Sequence, residues 1–136
     1  MCDDHPVRAT NRPILPERIA PPAANYAHAV LTTGATRWLH TSGVVPIAPD
    51  GSVPATIAEQ AEVVWGNIAV MLAEAEMEPR HVVSVTTFAV EGEPLGAAMA
   101  ARDRYLGAHL AASTLVTVPA LARPEWRMEI VVIAAA

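Results

Sequence analysis

Glu129 stands as a lone acid between Met128 and Ile130, close to the end of the chain. A carboxylate in apolar surroundings is costly unless paired, and one so placed is suited to taking up and releasing a proton. The competing reading is a salt bridge to Arg127, which lies two residues away and therefore on the same face of an extended strand. Ser42, just before Gly43, offers a hydroxyl followed by backbone amides that could hold a ligand; the plainer reading is a turn-forming Ser-Gly pair. Tyr26 could stack on a ligand or hydrogen-bond to it, and a half-buried strand tyrosine is equally ordinary. His40, two residues before Ser42, is either an added acid or base or a hydrogen-bonded structural residue. Arg127 is a further ligand-binding candidate on the strand face of Glu129.

Other chemistries are poorly supported. His28, His81 and His109 show no ligand spacing, nor does His5, and the only cysteine, Cys2, cannot build a zinc site or an internal disulfide. Neither a glycine-rich phosphate loop nor a G-x-S-x-G elbow is present. The expectation is an enzyme with no metal and no cofactor. Trp38, Trp65 and Trp126 read as core or interface residues, and Glu91-Gly92-Glu93 as a solvated loop.

The elements that must position these groups follow from periodicity. Residues 1 to about 25 carry Pro6, Pro13, Pro16, Pro21 and Pro22, which favour an extended arm or edge strand, with a short strand at Ile14 and Leu15. Ala27 to Thr33 and Arg37 to Ser42 read as two strands around Gly34, the pattern of a hairpin. After the Asp50-Gly51 turn, Thr56-Ile57-Ala58-Glu59 matches a capping box, and Ile57, Ala61, Val64, Ile68, Met71 or Leu72, and Ala75 recur at helical spacing until Pro79. The β-branched run Val82 to Val90 predicts a central strand. Pro94 suits the first turn of a second helix, with Leu95, Met99, Leu106 and Leu110 on its buried side. Thr114 to Val118 and Trp126 to Ala134 close the chain as strands.

The order is β-β-β-α-β-α-β-β in a single domain spanning residues 1–136, an α+β fold. Two helices cover only one face of such a sheet. The last strand is apolar on both faces toward its end, so a second copy of the chain is expected to cover the other. Apolar residues make up 52% of the chain, a high share for 136 residues, which points to the same conclusion. The net charge of −5, without a Lys run, gives no support to a nucleic-acid partner. With no leader-like N-terminus and no run of about 20 apolar residues, the expectation is a cytoplasmic protein that does not enter a membrane.

Several segments together resemble the RidA/YjgF family. Asn25-Tyr26-Ala27-His28-Ala29-Val30 is similar to its P-Y-S-x-A-V segment. Thr41-Ser42-Gly43-Val44-Val45-Pro46 resembles its S-G-Q-x-P segment, followed by the same D-G turn. Glu59-Gln60-Ala61 with Asn67-Ile68 resembles its E-Q-x…N-[LIV] helix. Ala112-Ser113-Thr114 and Met128-Glu129-Ile130 resemble its P-A-R-[ST] and V-E-I-E strands. The match runs from about Tyr26 to Ala134.

The resemblance implies a chorismate-mutase-like fold, a mixed six-stranded sheet with two helices on one face, assembled as a homotrimer with ligand clefts between subunits. It also implies a small-molecule ligand: family deaminases hydrolyse enamines and imines such as 2-aminoacrylate to a keto acid and ammonia. In them an arginine holds the substrate carboxylate, a role its planar fork suits. A glutamate on the last strand positions or activates water. Tyr26, Ser42, Gly43 and Glu129 match the family pattern. The arginine's position falls on Ser113, or on Ala112 if a gap is placed differently, and the motif's glutamine is Val44. Arg127, Arg123 and Arg37 are the candidates to replace the lost cation, and Ser113 becomes a possible contact to a neutral substrate. Glu-assisted deamination, or a related dehydration, tautomerisation or cyclisation, is therefore expected, with Glu129, Ser42 and Tyr26 as catalytic residues. Gly43, Ser113, His40 and Arg127 are the expected binding residues. The alternative is a trimeric small-ligand-binding or regulatory protein without turnover. Ribonuclease activity, an old label for the family, is disfavoured by the acidic balance.

Overall fold

The computed structural model describes residues 8–136, so the readings that fall on Cys2 and His5 lie outside it. Six strands and two helices follow in the expected order: β1 (Thr10–Ile14), β2 (Ala29–Thr33), β3 (Trp38–His40), α1 (Ile57–Glu74), β4 (Val82–Val90), α2 (Leu95–Leu106), β5 (Ala112–Val118) and β6 (Met128–Ala135). Hydrogen bonds divide the strands into a four-stranded sheet, β3-β6-β4-β5, and a two-stranded hairpin, β1-β2. Asn11 ties the hairpin to the sheet by donating from Nδ2 to the Ala135 carbonyl at 2.9 Å. A single parallel bridge, Ala27 to Ala112, adds a second link.

The expected pairing of the strands on either side of Gly34 does not form. β2 pairs with β1, and β3 pairs with β6 instead. Alternation of side chains shows that a segment is extended but not which edge it joins. Here the amides of Thr36 and Arg37 both reach the carbonyl of Ala136, and Ala136 N–H returns to Arg37, which clamps β3 to the end of the chain.

β4 has the bounds that its β-branched run predicts, and it lies in the sheet interior between β6 and β5. It is parallel to β5, and α2 supplies the crossover that parallel strands require. Both helices pack on one face. On that face β4 buries Val85, Thr87 and Ala89, and β6 buries Met128, Ile130, Val132 and Ala134. The opposite face carries Phe88, Glu129, Val131 and Ile133, all half-buried.

In α1, Thr56 caps the helix by accepting the Glu59 amide at 3.3 Å. The helix ends at Glu74, ahead of Pro79, because Glu76 turns into the left-handed region at φ 56°. Pro79 instead opens a short 3₁₀ turn, Pro79–His81. α2 differs more from expectation. Its buried side is Ala98, Ala101, Arg102 and Leu106, while Leu95 and Met99 only pack at the margin of the core.

Gln60 connects this core to the site. It is fully buried on α1, donates from Nε2 to the carbonyls of Pro54 and Glu125 at 2.8 Å each, and accepts the Arg127 amide at 2.8 Å. The last of these bonds holds the chain two residues before Glu129. Gln60→Leu leaves three part-buried backbone groups without their side-chain partner, each at the low end of the ~1–3 kcal/mol that an unsatisfied buried group costs. The expected loss of stability is about 3 kcal/mol, read as a lowered midpoint in urea unfolding with an unchanged slope.

Candidate active site

Glu129 owes its position to strand alternation. Met128 and Ile130 on either side point into the core and are 0% and 1% exposed, whereas Glu129 points to the helix-free face and is half-buried. The sequence suggested a carboxylate enclosed by apolar neighbours; they are neighbours along the chain only, and their side chains lie across the sheet. The salt bridge to Arg127, the competing reading of Glu129, is absent. Arg127 precedes β6 and pairs with Glu93 at 3.4 Å, and Glu129 takes part in none of the ion pairs among the described residues.

Gly43 reaches Glu129 through a local irregularity. Past β3, the Thr41 amide bonds to the Val132 carbonyl, and Thr41 Oγ1 accepts the Val132 amide at 3.0 Å. Val44 exchanges both backbone bonds with Ile130, at 2.7 and 3.1 Å. Two residues, Ser42 and Gly43, therefore face the single residue Val131, as in a β-bulge. The Glu129 side chain lies across Gly43: a β-carbon on Gly43 would overlap Glu129 Oε1 and sit 2.6 Å from Cδ. Ser42 is exposed beside them.

Ser42 and Gly43 also line a groove of about 410 Å³ with His40, Thr41, Asn67 and Met71. Asn67 holds its far wall by donating to the Ile47 carbonyl at 2.9 Å. His40 is exposed and pairs with Ile133, about 13 Å along β6 from Glu129. It shares the groove with Ser42 and Gly43 without approaching the carboxylate.

Tyr26 and Ser113 form a second cluster. They line a cavity of about 270 Å³ with Ala23, Ala24, Met99, Arg102 and Leu115. Tyr26 Oη accepts the Ala23 amide at 3.2 Å. Ser113 pairs with Val85, whose side chain is buried beneath the helices, so Ser113 lies on the helix side of the sheet at its β5 edge. Glu129 pairs with Phe88, and Phe88 with Val116, three residues from Ser113. The two clusters are thus two strands apart, on opposite faces, and separated by about 14 Å. Arg127 joins neither; it lines a third groove with Arg123 and Trp126.

One residue of the second cluster escaped the sequence reading. Arg102 on α2 is almost fully buried, with 4% of its side chain exposed. Its Nε and Nη2 donate to Asp103 Oδ1 at 3.1 and 3.0 Å, and Nη1 donates to Ser113 Oγ at 3.1 Å. Asn25 steadies the carboxylate by donating to Asp103 Oδ2 at 3.1 Å. A signal was available, since Leu95, Met99, Arg102 and Leu106 follow helical spacing and set a cation on the buried stripe.

Among the described residues, no group of three His, Cys, Asp or Glu side chains could hold a metal ion, and no helix is long and apolar enough to cross a membrane.

Known proteins share this architecture. The conserved Rid-family protein YyfB of Yersinia pestis is 30% identical, covers 93% of this chain and 99% of its own, and superposes with a TM-score of 0.83. Protein MMF1, mitochondrial, of Saccharomyces cerevisiae is 29% identical over 106 residues, 76% of this chain and 71% of that protein. Escherichia coli TdcF, solved with bound serine, is 21% identical and has the same fold, with a TM-score of 0.68 over 92% of this chain and 98% of its own. The Endoribonuclease L-PSP family model matches residues 17–136, and the chain belongs to that family, the family of the RidA/YjgF proteins, with its chorismate-mutase-like fold.

Proposed function

We propose that this chain is a cofactor-independent enzyme that acts on a small enamine- or imine-like metabolite, with Glu129 as acid and base. The observation that carries the reading is the Glu129 carboxylate, laid over Gly43 beside the exposed Ser42 and in no ion pair among the described residues. Such a group can take a proton from water as the water adds to an imine carbon, and return it to the departing nitrogen. Backbone amides of the bulge and the Ser42 hydroxyl are suited to stabilise charge that develops on the substrate.

In one chain the Glu129 cluster and the Tyr26–Ser113 cluster lie too far apart for a small metabolite to touch both. The reading therefore includes a homotrimer in which Ser42, Gly43 and Glu129 of one copy face Tyr26 and Ser113 of the next. Leu31, Trp38, Leu115 and Val116 are exposed large apolar side chains that a second copy would cover. His40 would border the ligand through the Ser42 groove, whereas Arg127, paired with Glu93, would act at most from its rim. A small metabolite suits the net charge of −5 better than RNA does, and serine bound to TdcF, a protein of the same fold, fits a ligand of this size. A cytoplasmic site of action is part of the proposal.

Ser113 in the position of the family arginine favours a second reading, a trimeric small-ligand-binding or regulatory protein without turnover. Release of ammonia and keto acid from enzymatically generated 2-aminoacrylate separates the two. Acceleration by the wild-type protein supports catalysis. No acceleration by a folded trimer, on this or on neutral enamines, leaves the binding reading.

A further inference from the structure

We propose that Arg102, presented from α2 beneath Ser113, is the anion-recognising residue of this chain and selects ligands that carry a single carboxylate. This rests on reading the Tyr26–Ser113 cavity as part of the ligand cleft, and it revises the expectation that Arg127, Arg123 or Arg37 would stand in for the arginine missing from β5.

Burial is the first argument. A guanidinium with 4% of its side chain exposed is costly unless its donors are matched. Three of its five N–H groups reach Asp103 or Ser113, and two have no protein acceptor among the described residues. The same side chain lines the cavity of about 270 Å³ together with Tyr26 and Ser113. Donors in this position call for an acceptor from the ligand, and a planar fork matches a carboxylate in two parallel bonds.

Ser113 adds the second argument. Its Oγ accepts from Arg102, so its own hydroxyl hydrogen remains available to donate. A serine at this position therefore does not abolish anion binding. It makes room for a guanidinium arriving from the helix and contributes one more donor. Asp103 sets the charge of the preferred ligand. Because it already balances Arg102, a monoanion leaves less uncompensated charge than a phosphate dianion would.

The test uses binding rather than turnover, with pyruvate and its uncharged amide, pyruvamide, as probes in calorimetric or NMR titrations of the intact protein. Wild type is expected to bind pyruvate about a hundredfold more tightly than pyruvamide. Arg102→Met is expected to bring that ratio close to one, with helix content and oligomeric state unchanged. Equal affinities in the wild type, or a preference that survives in Arg102→Met, overturn the assignment. Should Arg102→Met fail to fold, Ser113→Ala decides. It keeps the guanidinium and is expected to weaken pyruvate by about fivefold while sparing pyruvamide, and no selective loss overturns the proposal. Discrimination without turnover would remove the catalytic reading and keep this one; turnover of neutral enamines without carboxylate preference would do the reverse.

Discussion

Glutamine at position 129 is expected to lower the turnover of 2-aminoacrylate by about 10²–10⁴-fold, the range that a positioned acid or base typically contributes. The substitution keeps the shape of the side chain and removes only its capacity to accept and return a proton. Glu129 is half-buried and takes part in no ion pair among the described residues, so its replacement disrupts little of the fold. Stability should stay within about 0.5 kcal/mol of wild type, as for surface substitutions away from structural networks. Thermal unfolding and the oligomeric state check that half of the prediction. Affinity for the keto-acid product gives the third readout. It should remain near the wild-type value, because the groups proposed to hold the carboxylate, Arg102 and Ser113, are left unchanged and keep their mutual hydrogen bond. Undiminished turnover in Glu129→Gln would take the acid and base role from this residue, and with it the proposed mechanism.

The parts of this site that were legible in the sequence are those fixed by local pattern. Thr56 and the spacing of Ile57, Ala61, Val64, Ile68 and Leu72 describe α1 because capping and helical period are properties of one segment. The run from Val82 to Val90 describes β4 for the same reason. What remained hidden depends on contacts between distant segments. β3 meets β6 more than ninety residues later, and nothing in residues 38–40 names that partner. Arg102 was hidden differently. In an alanine-rich helix that also carries Asp103 and Arg104, a cation reads as solvated, although its place among Leu95, Met99 and Leu106 puts it on the buried stripe. The isolation of Glu129 was legible, but its direction was not. Alternation already turns Glu129 away from Met128 and Ile130, and only the packing of the helices onto the face of Met128, Ile130 and Val132 shows that the acid lies on the uncovered side.

Alanine at position 43 is expected to lower turnover by about 10²-fold with little loss of stability, because misplacing a catalytic group by about 1 Å can cost that much. Gly43 is not among the glycines with positive φ, which are Gly34, Gly51, Gly92 and Gly107, so its backbone can carry a side chain without strain. What forbids one is the Glu129 carboxylate, whose Oε1 occupies the space of a β-carbon and whose Cδ would be 2.6 Å from it. The carboxylate is the far end of a flexible side chain, so it can swing aside at small cost in folding energy while leaving the place where it meets substrate. The effect of Gly43→Ala is thus an effect on Glu129, which predicts strong non-additivity. In a Glu129→Gln background, where no proton-transferring group remains to be misplaced, the added Gly43→Ala should change turnover by less than about threefold. Rates for the wild type, the two single variants and the double variant close that cycle. Additive losses would mean that Gly43 serves the ligand directly, through its amide or through the room it leaves, and that its closeness to Glu129 is incidental.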